Sequence, residues 1–106
     1  MTPQELKQRT QIFALRVFRL VEALPKSDAG KAIAMQLIRS GTSISANYRE
    51  ACRGRFKAEF RANIGIVVEK ADESVCWLDL IIGGEPLEKS KVESLPRKPT
   101  NGAPSW

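Results

Sequence analysis

The sequence predicts an all-α fold: an up-down antiparallel helical bundle of the four-helix type, with the fourth helix truncated or replaced by a proline-rich tail. Three observations predict it. Apolar residues recur at three- and four-residue spacing over three long stretches. Each stretch is bracketed by capping or breaking residues. No strand-like alternation persists anywhere in the 106 residues, which disfavours a β or α/β fold. The length suits one domain and is too short for two independent cores. With 42% hydrophobic and 27% charged residues the chain is ordinary globular material rather than a disordered polymer. Aromatics are only 7%, so the core must be mostly aliphatic.

The first helix is expected over about residues 3–24. Thr2 can cap it, Pro3 suits its first turn, and Glu5 stands where a capping box needs it. Leu6, Phe13, Val17, Leu20, Val21 and Leu24 make the apolar stripe, with Thr10 filling one step. Pro25 stops the helix. Ser27 and Asp28 cap a second helix over about 28–53, striped by Ile33, Ala34, Leu37, Gly41, Ile44, Tyr48 and Ala51. Ser40-Gly41-Thr42-Ser43 has poor helix propensity. The stripe nevertheless keeps its phase across that stretch, which favours one continuous helix, and a glycine on the buried face lets a neighbour approach closely. Gly54 is a plausible stop. The third helix is expected over about 55–82, with Phe56, Phe60, Ile64, Val67, Ala71, Ser74, Val75, Leu78 and Ile81 or Ile82 inward, ended by Gly83-Gly84. A short fourth segment over 86–95 carries Leu87, Val92 and Leu95. Prolines 96, 99 and 104 then forbid continuation, so residues 1–95 are read as the bundle and 96–106 as an irregular tail.

The net charge is +5, and it is unevenly spread. Residues 1–61 hold twelve basic and five acidic side chains, a balance of +7; the remainder, with five against seven, is −2. The basic face therefore belongs to the first two helices and the start of the third, and it favours anionic partners such as nucleic acid, a membrane surface or an acidic protein face. Arg49, Arg53, Lys57 and Arg61 recur every four residues, with Arg55 between them and Arg39 further along the second helix. A helix end between Arg53 and Lys57 breaks the row but can still gather it near one turn. Arginine forks suit phosphate oxygens, and such contacts give sequence-independent, salt-sensitive binding. A solvated face with Glu50 and Glu59 as ion partners is the plainer alternative.

Other constellations carry less. Tyr48 can stack on a base, but its place on the stripe favours packing. Ser40, Ser43 and Asn47 share a small polar face, also read as packing. Asp28-Ala29-Gly30-Lys31 lacks the glycine spacing of a phosphate loop. Glu69, Asp72, Glu73 and Asp79 are read as solvated acids or ion-pair partners. The chain has no histidine, which excludes a Glu-x-x-His di-metal centre and a Ser-His-Asp triad. Cys52 and Cys76 have no metal or redox spacing and are read as small apolar fillers; Trp77 and Met35 are read as packing residues. No catalytic set, metal or cofactor is expected. No apolar run reaches a membrane span and the N-terminus lacks a signal pattern, so the cytoplasm is the default.

Several segments resemble one bacterial family. Phe13-Ala14-Leu15-Arg16 and Leu24-Pro25-Lys26 look like the first helix and turn of the four helix bundle proteins, also called 23S ribosomal RNA intervening-sequence proteins. The run from Gln36 to Ala51 is similar to the family's most characteristic segment. So are Lys57-Ala58-Glu59-Phe60 and Glu69-Lys70-Ala71-Asp72-Glu73-Ser74 followed by Trp77-Leu78. The matches fall in order over roughly residues 5–95. The resemblance implies self-association into homo-oligomers, pentameric in structurally known relatives. A similar protein serves diversity-generating retroelements, binding nucleic acid and a reverse transcriptase. No catalytic residue carries over. The departure is the C-terminus, where the family's fourth helix continues past the position of Leu95. Under permitted codon choices another reading frame of the tail encodes a helix-like segment, so a frameshift and a natural tail would each account for it. The expected function is thus a non-enzymatic, oligomeric bundle that binds RNA or DNA through Arg39, Arg49, Arg53, Arg55, Lys57 and Arg61. The alternative is a scaffold for an acidic partner protein.

Overall fold

A computed structural model of the chain describes residues 1–84, and these form three α-helices: α1 (Pro3–Ala23), α2 (Asp28–Cys52) and α3 (Lys57–Gly84). No strand occurs among the described residues. The fourth segment expected over 86–95 and the tail 96–106 lie outside the described residues.

Each start follows from local chemistry. At α1 the Thr2 hydroxyl accepts from the Glu5 N–H at 3.1 Å, and the Glu5 carboxylate accepts from the Thr2 N–H at 2.8 Å. This closes a capping box ahead of Pro3, satisfying donors that the first turn would otherwise leave unpaired. Leu24, in extended backbone before Pro25, caps the other end. At α2 the Ser27 hydroxyl accepts from the Gly30 N–H at 3.1 Å. The helix runs unbroken through Ser40–Ser43, and the Thr42 and Ser43 hydroxyls turn back onto their own helix. Thr42 donates to the Ile38 carbonyl at 2.7 Å and Ser43 to the Arg39 carbonyl at 2.7 Å.

Connections this short make consecutive helices antiparallel, and α2 is the central one. It packs on both α1 and α3, which barely touch each other. The core is Val17, Leu24, Leu37 and Ile81, with Phe13, Leu20, Ile38, Trp77 and Leu78 packed around it. Leu37 is fully buried, which stabilises the fold by about 1.5–3 kcal/mol. Gly41 faces α1 so closely that a Cβ there would stand 3.1 Å from Val17 Cγ2. Ser40 and Ser74, both buried, hydrogen-bond at 2.8 Å and fix the register of α2 against α3.

Three expectations need correction. On α3 only Ser74 and Ile81 are buried, Ile81 being the inward one of the Ile81–Ile82 pair, whereas Phe60 and Val75 on the helix and Phe56 just before it, expected inward, are exposed. Helical periodicity assigns a face but not a partner, and here that face extends past what α2 covers. α3 takes in Gly83 and Gly84, two residues past its expected end, up to the limit of the described residues. Met35 and Cys76 are exposed, so neither fills a core.

Candidate nucleic-acid interface

The α2–α3 connection is built around one glutamate. After Cys52 the chain closes with Arg53 N–H donating to the Glu50 carbonyl at 3.0 Å and Gly54 N–H to the Ala51 carbonyl at 3.1 Å. Glu59, in the first turn of α3, reaches back. Its Oε1 accepts from the Arg55 N–H at 2.7 Å and the Phe56 N–H at 3.3 Å. This neutralises part of the positive helix start and satisfies two loop donors. Gly54 permits it: a Cβ there would stand 3.2 Å from Glu59 Cβ. Arg55 accordingly lies in the turn rather than at the head of α3, which begins at Lys57.

This architecture distributes the six predicted residues in two ways. Arg49 and Arg53 lie one turn apart at the end of α2, about 6 Å along its axis. Lys57 and Arg61 lie one turn apart at the start of α3, and Arg55 sits between the two helices. All five are exposed, so the α2–α3 connection carries five cations against the two acids Glu50 and Glu59. Arg39 is also exposed but stands ten residues back from Arg49, about 15 Å up α2, and does not belong to the same cluster.

The neighbouring acids leave this end basic. Glu59 is committed to backbone donors. Glu50 contacts Arg53 at 3.4 Å, with both side chains largely in solvent, so that ion pair is weak and open to competition. Between the helices lies an open cleft of about 520 Å³, lined by Arg53, Arg55, Phe56 and Asn63 with the two acids. Asn63 is held by its Nδ2 donating to the Glu59 carbonyl at 3.1 Å.

The remaining candidates take structural places. Tyr48 is 5% exposed and packs in the bundle, away from any ligand-accessible surface. Burial, with the Cys52 thiol beside it, pushes its phenol pKa up. Ser40 pairs with Ser74, while Ser43 and Asn47 bond their own helix carbonyls. No cluster of three or more potential metal ligands occurs among the described residues, and no described helix is long and apolar enough to cross a membrane. Sequence reasoning missed Phe56 and Asn63. The available signal for Phe56 was its place at the helix break, between Arg55 and Lys57.

The architecture is shared with a solved structure over most of the chain. No curated protein matches the chain. One similar solved structure is a crystal structure at 1.70 Å of a protein of unknown function from the S23 ribosomal protein family of Bacteroides thetaiotaomicron VPI-5482. It is 33% identical, with a TM-score of 0.75 over 89% of this chain and 84% of that one. The sequence model of the 23S rRNA-intervening sequence proteins matches residues 3–101, nearly the whole length. With the fold and the matched span in agreement, this chain belongs to the 23S rRNA-intervening sequence protein family.

Proposed function

We propose that the protein is a non-enzymatic, self-associating helical bundle that binds nucleic acid through the basic end of α2 and α3. The observation that supports this reading is the convergence of Arg49, Arg53, Arg55, Lys57 and Arg61 around one connection whose acids are already engaged. Exposed cations at that density exchange condensed counterions for phosphates, giving affinity with little sequence preference. Arg39 extends the positive surface along α2 without sharing the cluster. Self-association, pentameric by family resemblance, is supported by large apolar side chains left exposed: Ile12, Leu15 and Phe18 on α1, and Val68, Val75 and Ile82 on α3. The basic end also fits the second reading, a scaffold that meets an acidic partner protein.

The test is binding of purified protein to RNA and to single-stranded DNA across a salt series, with oligomeric mass recorded on each sample. Binding should weaken linearly in log–log form. Each phosphate that Arg53→Glu or Lys57→Glu leaves without its cation should reduce the slope by about 0.7–0.9. Salt-independent binding, or binding unchanged by both reversals, refutes the nucleic-acid reading. A nuclease-resistant stoichiometric protein partner would establish the scaffold instead.

A further inference from the structure

Phe56 carries an aromatic ring in the middle of the basic end, on a hydrogen-bonded backbone, and is left 64% exposed. Its backbone is fixed on both sides. The Phe56 N–H donates to Glu59 Oε1 at 3.3 Å, and its carbonyl accepts from the Glu59 N–H at 3.0 Å and the Phe60 N–H at 3.1 Å. The backbone that carries the ring therefore needs little further ordering to meet a ligand. In sequence Phe56 lies between Arg55 and Lys57, and in space it shares the cleft with Arg53, Arg55 and Asn63 and with two carboxylates, Glu59 bonded to backbone donors and Glu50 paired with Arg53. The cleft, about 520 Å³, falls within the range of about 300–1,000 Å³ that small-molecule-sized groups occupy.

We infer that Phe56 is a stacking platform for an unpaired nucleobase, so that the ligand of the basic end is single-stranded nucleic acid. This rests on the nucleic-acid reading above and names its substrate class. An exposed ring bracketed by cations matches a nucleotide in both of its parts. The base offers a flat π-face, and the phosphates on either side offer negative charge to Arg53, Arg55 and Lys57. A duplex hides its base faces within the stack and offers only phosphates to this end. A second copy of the chain is the poorer occupant, since it would bring like charge to a contact whose centre should be depleted of charge. Because every base has a π-face, the expected preference is for strandedness rather than sequence.

The experiment compares wild type, Phe56→Leu and Phe56→Trp on a single-stranded RNA, a single-stranded DNA and a duplex of equal charge. Thermal melts and oligomeric mass are recorded for each variant. Phe56→Leu keeps an apolar side chain and should weaken single-strand binding about 5- to 100-fold while leaving duplex binding and the salt slope unchanged. Phe56→Trp should restore single-strand affinity. RNA and DNA losing affinity alike would assign the contact to the base, and a loss confined to RNA would assign it to the ribose and overturn the inference. Wild-type binding that is salt-dependent but untouched by Phe56→Leu overturns the stacking inference and leaves the basic end standing. No salt-dependent binding by wild type removes both. A change in oligomeric mass with equal loss on all three ligands makes Phe56 a contact between copies and overturns the inference.

Discussion

Gly41 offers the sharpest test of the packing. Replacing glycine with alanine inside a helix gains about 1 kcal/mol from backbone entropy alone. Gly65, in α3, would realise that gain, because a Cβ there meets nothing within 4 Å. At Gly41 the added carbon would press on Val17 Cγ2 at 3.1 Å and Cγ1 at 3.5 Å, with Phe13 Cε2 at 3.6 Å. Val17 is buried in the core with Leu24 and Leu37, so the few tenths of an ångström it must give come out of that packing. Overpacking of this kind costs about 1–3 kcal/mol. Both substitutions carry the same entropy gain, so Gly41→Ala should fall about 1–3 kcal/mol below Gly65→Ala. At about 4–8 °C per kcal/mol for a domain of this size, that separation is easily seen in thermal melts. A double-mutant cycle locates the cause: Val17→Ala removes the offending methyls, so the pair should be less destabilised than the sum of the singles by at least about 0.5 kcal/mol. Additive behaviour, or a Gly41→Ala variant as stable as Gly65→Ala, would refute the close approach of α1 to α2.

Two further outcomes follow from buried polar groups. Burial raises the Tyr48 phenol pKa, so its contribution is fully present below the unfolded phenol value of about 10 and is lost as pH rises through the higher folded value. Urea midpoints between about pH 9 and 11 should therefore fall more steeply for wild type than for Tyr48→Phe. Ser74→Ala should cost about 0.5–1.5 kcal/mol by breaking the bond to Ser40, while changing both serines to alanine should cost less than the two singles summed.

Much of the fold was legible because its signals are local. Thr2, Pro3 and Glu5 close their capping box within one turn, and Pro25 and Ser27 punctuate the first connection. The continuity of α2 through Ser40–Ser43 could be read from a stripe that kept phase. What was not legible depends on distant partners. Ser40 is buried because Ser74 lies opposite, 34 residues away, and nothing near Ser40 in sequence announces that. Phe56 and Phe60 fit the inward period of α3, yet they stand where α2 has already ended, so the period had no partner to pack against. The candidate site divides the same way. That Arg53, Arg55 and Lys57 gather at a turn follows from the helix break between them. That Glu59 serves the backbone rather than their charges needed the geometry of the turn.

The central position of α2 has a kinetic consequence. Among the described residues, α1–α2 and α2–α3 are two hairpins sharing one strut, and the third side is nearly open. Either hairpin can form first from neighbours close in sequence, which is the low-contact-order regime of fast folding. Two parallel routes should then lead to the native state, one nucleated around Val17 and Gly41, the other around Ser40 and Ser74. Amide exchange should find α2 the slowest to open, since it is the element that both sub-global openings leave half covered. Mutations in α1 and α3 should consequently slow different routes, and a slowed route leaves the other available.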